Sequence, residues 1–407
     1  MAVEFKGKSL KVLETYVGAW DPYASLQPTT ESKHLIDLVM GMHPGVVSGA
    51  DAHQMIESIA RHEYWSVHEG RQTDEALALA RPKILSSIKA YVESLPRSYE
   101  FRIGLPNFPS WFSGKVALAE DVYLVADEPP NNRIVAALMG VASSRVHISI
   151  SVNGYADHGP SATAARRALG FAHHITYLLK HFGVAERQYS MEPDHSSFQS
   201  FSATNGRFEY TPPALRRVCS SLSVAEAKLE FIAMDGTGPT LLSKVNPRAP
   251  QTDVERMEAF KRALEPVSEA LKLRSFDDYE FLGAAMEWAL ESEASENDTV
   301  AYILASIGLE AILGTGDYMN EMSKRLGDRY AFLTGGHRAD RERRGEEFKN
   351  LLDLRGEIVH ARHRGLTYPE MSSLFKIQGR LDECIGVELN KLLKYNRPRG
   401  ATGIVVS

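Results

Sequence analysis

Apolar residues recur at helical spacing through the first part of the chain, over residues 32–40, 51–67 and, in a longer run, 73–95. Asp51 and Thr73 stand where helix N-caps belong, and Pro44-Gly45 separates the first run from the second. The pattern then changes. Residues 98–105, 117–126 and 145–152 are rich in Val, Ile, Tyr and Phe, with Pro106, Pro109, Pro129 and Pro130 between them, which predicts strands joined by turns. Residues 147–152 alternate Ile and Val with His and Ser, the pattern of a half-exposed strand. After Gly159-Pro160 the spacing predicts a helix over 161–182 and a second over 224–233. Residues 242–252, with Asn246, Pro247, Pro250 and Gln251, read as a linker. Beyond it the strand signal disappears, and helices are predicted over 253–273, 279–293, 299–313, 320–334, 341–364 and 369–394.

The expected architecture is therefore an α+β multidomain chain. A mainly helical region (1–95) leads into a mixed α/β domain of sensing or regulatory type (96–250). An all-α bundle of five or six helices (251–395) and a flexible tail (396–407) with Pro398, Gly400 and Gly403 complete it.

Composition narrows this reading. A hydrophobic share of 43% and a charged share of 24% in 407 residues are ordinary globular values, enough for two or three cores. The net charge of −6 supplies no global basic field, so any nucleic-acid site has to be a local patch. Cys219 and Cys384 form no metal-type pair and no disulfide framework, which fits a reducing compartment. Residues 1–10 are polar and charged, unlike a signal peptide, and the longest apolar run, 134–142, is far short of the ~20 residues that span a bilayer. A cytoplasmic protein without membrane partners is expected.

Most histidines and aromatics carry no pattern that points to chemistry. His53, His62 and His68 have Glu57, Glu63 and Glu69 nearby but lack the spacing of a zinc helix, and no metal or cofactor is expected. His173 and His174 fall inside a helix, where a packed or surface histidine is the ordinary case. Trp65, Trp111 and Phe112 offer a ligand platform or, more ordinarily, core. Asp235-Gly-Thr-Gly-Pro239 lacks the lysine of a phosphate loop and reads as a turn.

The informative stretch is FKNLLDLRGEIVHARHR over residues 348–364, with Arg355 and His360 separated by four residues. On this spacing, on the run LRGEIVH over 354–360, and on two further segments, IGLEAILG over 307–314 and EMSKRLGDRYAFL over 321–333, the chain resembles the HEPN superfamily, most closely its ApeA-like branch. The resemblance covers residues 300–390 well and 251–395 loosely. Gly356 departs from the polar residue that often follows the motif arginine.

The resemblance implies a helical-bundle ribonuclease that cuts RNA without a metal, with Arg355 and His360 as its catalytic pair. It also implies a homodimer that brings two motifs together, and a role in bacterial defence against phage. There the substrate would be cellular RNA such as tRNA, and a phage-derived trigger or regulatory partner would act on residues 1–250. The residue types suit that chemistry: a histidine near neutral pKa moves the proton of the 2′-hydroxyl, and a guanidinium grips phosphate oxygens. Glu357, three residues before His360, is within reach to orient the imidazole, and His363 is a second titrating group. Arg362 and Arg364 flank His360 and, with Arg325 and Arg329, are the candidate RNA contacts. Arginines 338–344 alternate with acids and read as a solvated, ion-paired surface.

Helix geometry poses a difficulty. Steps of about 100° place Phe348, Leu351, Leu352, Ile358 and Val359 on one stripe, put Arg355 in its middle, and leave His360 about 140° away. The expectation is a helix distorted at Gly356, or an arginine that reaches across a helix or subunit boundary. Two other readings remain: an inactive RNA-binding or scaffold HEPN module, and a nucleotide or small-molecule sensor centred on the middle domain.

Overall fold

The computed structural model describes residues 4–24, 27–109, 111–127, 146–156, 161–187, 203–204, 207–208, 212–224, 252–314, 322–360 and 365–395. The chain is mostly helical, with a small sheet in its N-terminal half and a helical C-terminal region. A six-stranded sheet runs in the order β2-β3-β4-β1-β7-β6, where β1 is Arg97–Gly104, β2 Lys115–Ala119, β3 Val122–Ala126, β4 Val146–Gly154, β6 Ala203–Thr204 and β7 Arg207–Phe208. The β2/β3 and β6/β7 pairs are antiparallel, and β1 pairs with β7 in parallel. A separate antiparallel pair joins β5 (Ala185–Arg187) to β8 (Leu222–Val224). No described helix is long and apolar enough to cross a membrane.

The chain divides into two compact units, neither continuous in sequence. The first comprises residues 1–102, 150–169 and 199–210, and the second residues 103–149, 170–198 and 211–407. Residues 1–95 fall whole within the first unit and residues 251–395 whole within the second, while residues 96–250 are divided between the two.

The first unit is built on four helices, α1 (Lys8–Ala19), α2 (Thr30–Met42), α3 (Gly49–His68) and α4 (Thr73–Glu93). Their apolar faces meet in a core that includes Leu13, Leu35, Val39, Met55, Ile56, Ile84 and Ile88, all fully or almost fully buried. Removing that apolar surface from water is the main favourable term. Helix α1, ahead of the runs read from the apolar spacing, carries Leu13, Tyr16 and Val17 on one face. The caps also differ from expectation. Ser48 caps α3, and Asp51 sits three residues in as the reciprocal partner of the capping box, because its carboxylate reaches back to the Ser48 N–H at 3.0 Å. Thr73 is the first helical residue of α4, behind an N-cap Gln72 that makes no side-chain bond.

In the second unit, the single strand expected over 117–126 is a hairpin. β2 and β3 turn at Glu120-Asp121 with Lys115 opposite Val125 and Ala117 opposite Tyr123. β4 is not half-exposed at its start. Val146 through Ile150 are all buried, His147 and Ser149 included, so both faces of this internal strand are covered there, and alternation begins only at Ser151. His147 faces Asp127, Nδ1 to Oδ2 3.4 Å. Helix α5 (Thr163–His181) continues into this unit from residue 170. Val224 ends strand β8 after helix α6 (Pro213–Ser221); the rest of the helix expected over 224–233, the linker 242–251, the 235–239 turn and the tail 396–407 lie outside the described residues.

The helical region follows the predicted order closely: α7 (Asp253–Lys272), α8 (Asp278–Ala294), α9 (Asp298–Leu313), α10 (Met322–Thr334), α11 (Arg338–His360) and α12 (Met371–Tyr395). Thr252 and Glu255 form a capping box that starts α7. Phe260 of α7 sits in an aromatic nest, edge-on to Phe108, Trp111 and Phe112 at 5.6–6.1 Å, so the latter two are core. α8, α9 and α12 pack together, and α10 lies along α11. Gly308 permits the first of these packings, since a Cβ there would lie 2.8 Å from Leu381 and 3.1 Å from Trp288.

Candidate functional site

The site begins with α11. Phe348, Leu351, Leu352 and Ile358 are buried, and Tyr330 of α10 stacks on Phe348 at 4.5 Å and 14°. Tyr302 of α9 donates from its hydroxyl to the Leu351 carbonyl at 2.6 Å, fixing α9 against α11. Val359, expected on the buried stripe, is 45% exposed. The helix runs unbroken through Gly356 to His360, and a Cβ at Gly356 would meet nothing within 4 Å, so the expected distortion at the glycine is absent.

Arg355 lies on the stripe as anticipated, and its partner comes from within the chain. Glu310, in the last turn of α9, sits with Oε1 3.3 Å from Arg355 Nη2. Both side chains are largely buried, with 25% and 20% of their surface exposed. The contact is an attraction of charges rather than an aligned hydrogen bond: Arg355 Nε and Glu310 Oε1 are both buried without a hydrogen-bond partner. Burial raises the Glu310 carboxyl above its ordinary 4.5, and the Arg355 charge offsets this only in part. The need of an arginine among apolar neighbours for a counter-charge is thus met without crossing a subunit boundary.

His360 is exposed in the last turn of α11, and Glu357 is exposed one turn earlier. Five residues of helix separate the Cα atoms of His360 and Arg355 by about 7.5 Å along the axis and about 140° around it. The helix therefore presents one residue inward toward α9 and the other to solvent, and does not converge them. Arg362, His363 and Arg364 lie outside the described residues. Arg325 is exposed on α10. Arg329 spends one N–H on the Leu313 carbonyl at 2.5 Å, capping the C-terminus of α9 next to Glu310.

The first half of α11 is heavily ion-paired. Arg338 meets Glu342 at 2.8 Å, and Arg343 bridges Asp340 and Glu347. Arg344 joins Asp340 to Glu383 of α12, 3.1 and 2.6 Å. Glu383 also accepts from the Tyr330 hydroxyl at 2.6 Å and from Arg380 at 3.2 Å. Burial pushes its carboxyl up, but these donors outweigh it and hold it below 4.5.

One row of polar contacts had no sequence signal beyond the residues themselves. His173 and His174 of α5, both 8% exposed, face Glu291 and Glu287 of α8 at 3.3 and 3.2 Å. Further along α5, Tyr177 donates to Asp382 at 2.8 Å and Lys180 pairs with Glu293. The acids lie more than a hundred residues away in sequence, so only the fold reveals them. Among the described residues no group of three or more His, Cys, Asp or Glu is placed to hold a metal ion. Glu57 is instead taken by Tyr16, Trp20 and Arg61, and Glu63 by Ser87.

Comparison of the chain with protein-family models, with curated proteins and with solved structures gives no match.

Proposed function

We propose that the second unit is a HEPN-type endoribonuclease, with Arg355 and His360 as its reacting pair. The observation that supports this most is the spare donor capacity of Arg355 together with an exposed His360 on the same helix. Arg355 is anchored inward by a single carboxylate with donors left over, and His360 is held in solvent at the helix end. In this reading His360 takes the proton of an RNA 2′-hydroxyl as its oxygen attacks the adjacent phosphorus. The P–O5′ bond breaks, leaving a 2′,3′-cyclic phosphate and a 5′-hydroxyl end. The leaving oxygen needs a proton from a second group, which a homodimer supplies through its other His360. Arg355 stabilises charge on the non-bridging oxygens with its remaining N–H donors.

By the same resemblance, the protein acts as a cytoplasmic effector of phage defence. It cleaves cellular RNA such as tRNA, and the remainder of the chain restrains it until triggered.

A specific feature favours a second reading, an inactive RNA-binding or scaffold module: Glu310 already neutralises Arg355. Incubation of tRNA and total RNA with the wild-type chain, His360→Ala and Arg355→Ala in EDTA separates the two. The enzyme reading expects cyclic-phosphate ends from the wild type alone. Equal cutting by all three sinks the assignment, and RNA binding without cutting by triggered wild type supports the module.

A further inference from the structure

The second unit holds a cleft of about 430 Å³ that shares no residue with the Arg355–His360 end of α11. Phe171 and His174 of α5 form one wall, and the turn before α8 with its first three turns forms the other.

Its one arginine is already committed. Arg274 lies over the Phe171 ring at 4.6 Å, donates to Asp121 through both terminal nitrogens (2.7 and 3.5 Å), and gives its Nε proton to the Leu271 carbonyl at 3.0 Å. With Arg274 neutralised by Asp121, the charges left on the lining are the carboxylates of Asp277, Glu280 and Glu287, set against His174 alone. The cleft is acidic, which disfavours phosphates and other anions.

Its walls are also aromatic. Phe276 is 44% exposed at the rim, and Tyr279 packs edge-on to His174 at 5.5 Å.

Two glycines hold Glu287 and His174 together. A Cβ at Gly283 of α8 would fall 2.6 Å from the His174 ring, and one at Gly170 of α5 would fall 2.8 Å from Glu287 Oε1. Any side chain at either position would push the pair aside.

Two lining residues also carry unsatisfied polar atoms. Tyr279, 4% exposed, has a buried hydroxyl without a hydrogen-bond partner, and His174 Nδ1 is in the same condition. Such atoms cost free energy in a wall that serves only packing.

We propose that this cleft binds a small organic cation, an amine or a guanidinium, whose charge is taken by Glu287, Glu280 and Asp277 and whose carbon frame lies on Phe276. Carboxylates beside an aromatic face suit such a group, because the ring attracts the cation and the acids pair with its N–H donors.

The test is calorimetric titration of the full chain with agmatine and with spermidine in 150 mM salt, with AMP as the anionic comparison. Wild type is expected to bind at least one of the cations with a Kd below about 1 mM. Phe276→Ala and the double variant Asp277→Asn/Glu280→Gln, all exposed positions, are expected to weaken it about fivefold or more. RNA cleavage is not read, so the outcome is independent of the ribonuclease proposal. Failure of both cations to bind below about 10 mM overturns the inference. So does binding unchanged in both variants, which marks diffuse attraction to an acidic protein, or a preference for AMP.

Discussion

The two halves of α11 use the same residue type to opposite ends. In the first half, Arg343 and Arg344 each have two acidic partners, and Arg344 ties α11 to α10 and α12 through Tyr330, Thr334 and Glu383. In the second half, Arg355 has one acid at 3.3 Å, poorly aligned, and a buried Nε with no bond. An arginine whose donors are saturated is a structural clamp. An arginine held by one charge, with N–H groups to spare, retains the capacity to grip a phosphate.

The largest expected effect breaks the comparison at the proposed catalytic end. Arg355→Ala and His360→Ala should each lower RNA cleavage about 10³-fold, while Arg344→Ala should leave the cleavage rate of the folded protein unchanged. Initial rates on a labelled tRNA check this, and loss of rate in Arg344→Ala with an intact melting curve would erase the distinction.

Next in size is Glu310→Ala, which strands a largely buried guanidinium and should cost about 2 kcal/mol in urea unfolding. Arg355→Ala should cost less, because the Glu310 carboxyl, already raised, can take up a proton instead.

The pH dependence should differ in sign between the halves. Glu310 is raised, so its folded form takes a proton first, and its contribution to stability grows as pH falls toward 4.5 from above. Glu383 is lowered, so its contribution is complete above 4.5 and is lost as pH falls below that value. Relative to wild type, Glu310→Gln should lose more stability on acidification above pH 4.5, and Glu383→Gln should lose less below it. Unfolding midpoints across pH 3–7 would show either sign reversed.

Smaller still, Gly356→Ala should stabilise the helix by up to about 1 kcal/mol with cleavage retained, since nothing occupies the space of its Cβ. Arg338→Ala, whose side chain is 93% exposed, should leave the melting temperature unmoved.

Helix period carried most of the second unit, and α7 to α12 fall within a few residues of where the apolar spacing places them. It failed where the punctuation was weak. The β2–β3 turn at Glu120-Asp121 contains no Gly or Pro, so two strands read as one. Ser48 and Asp51 both look like caps, and only the reciprocal hydrogen bonds show which one opens α3. The candidate site was legible as a pair of residues on one helix but not as a geometry. Glu310 is an acid within the otherwise apolar run IGLEAILG, which hinted at a buried partner, yet its meeting with Arg355 across 45 positions is a product of α9 packing on α11. The glutamates facing His173 and His174 had no hint at all, for nothing local links them.

The second unit is threaded from three separate stretches, 103–149, 170–198 and 211–407. A fragment beginning at residue 251 would carry every motif of the candidate nuclease but leave Phe260 without Phe108, Trp111 and Phe112, and Glu287 and Glu291 without their histidines. Recombination at a single breakpoint therefore cannot pass this unit intact to another gene. Its inheritance is bound to that of the residues woven through it, and a lineage that exchanges the first unit for another has to do so around them.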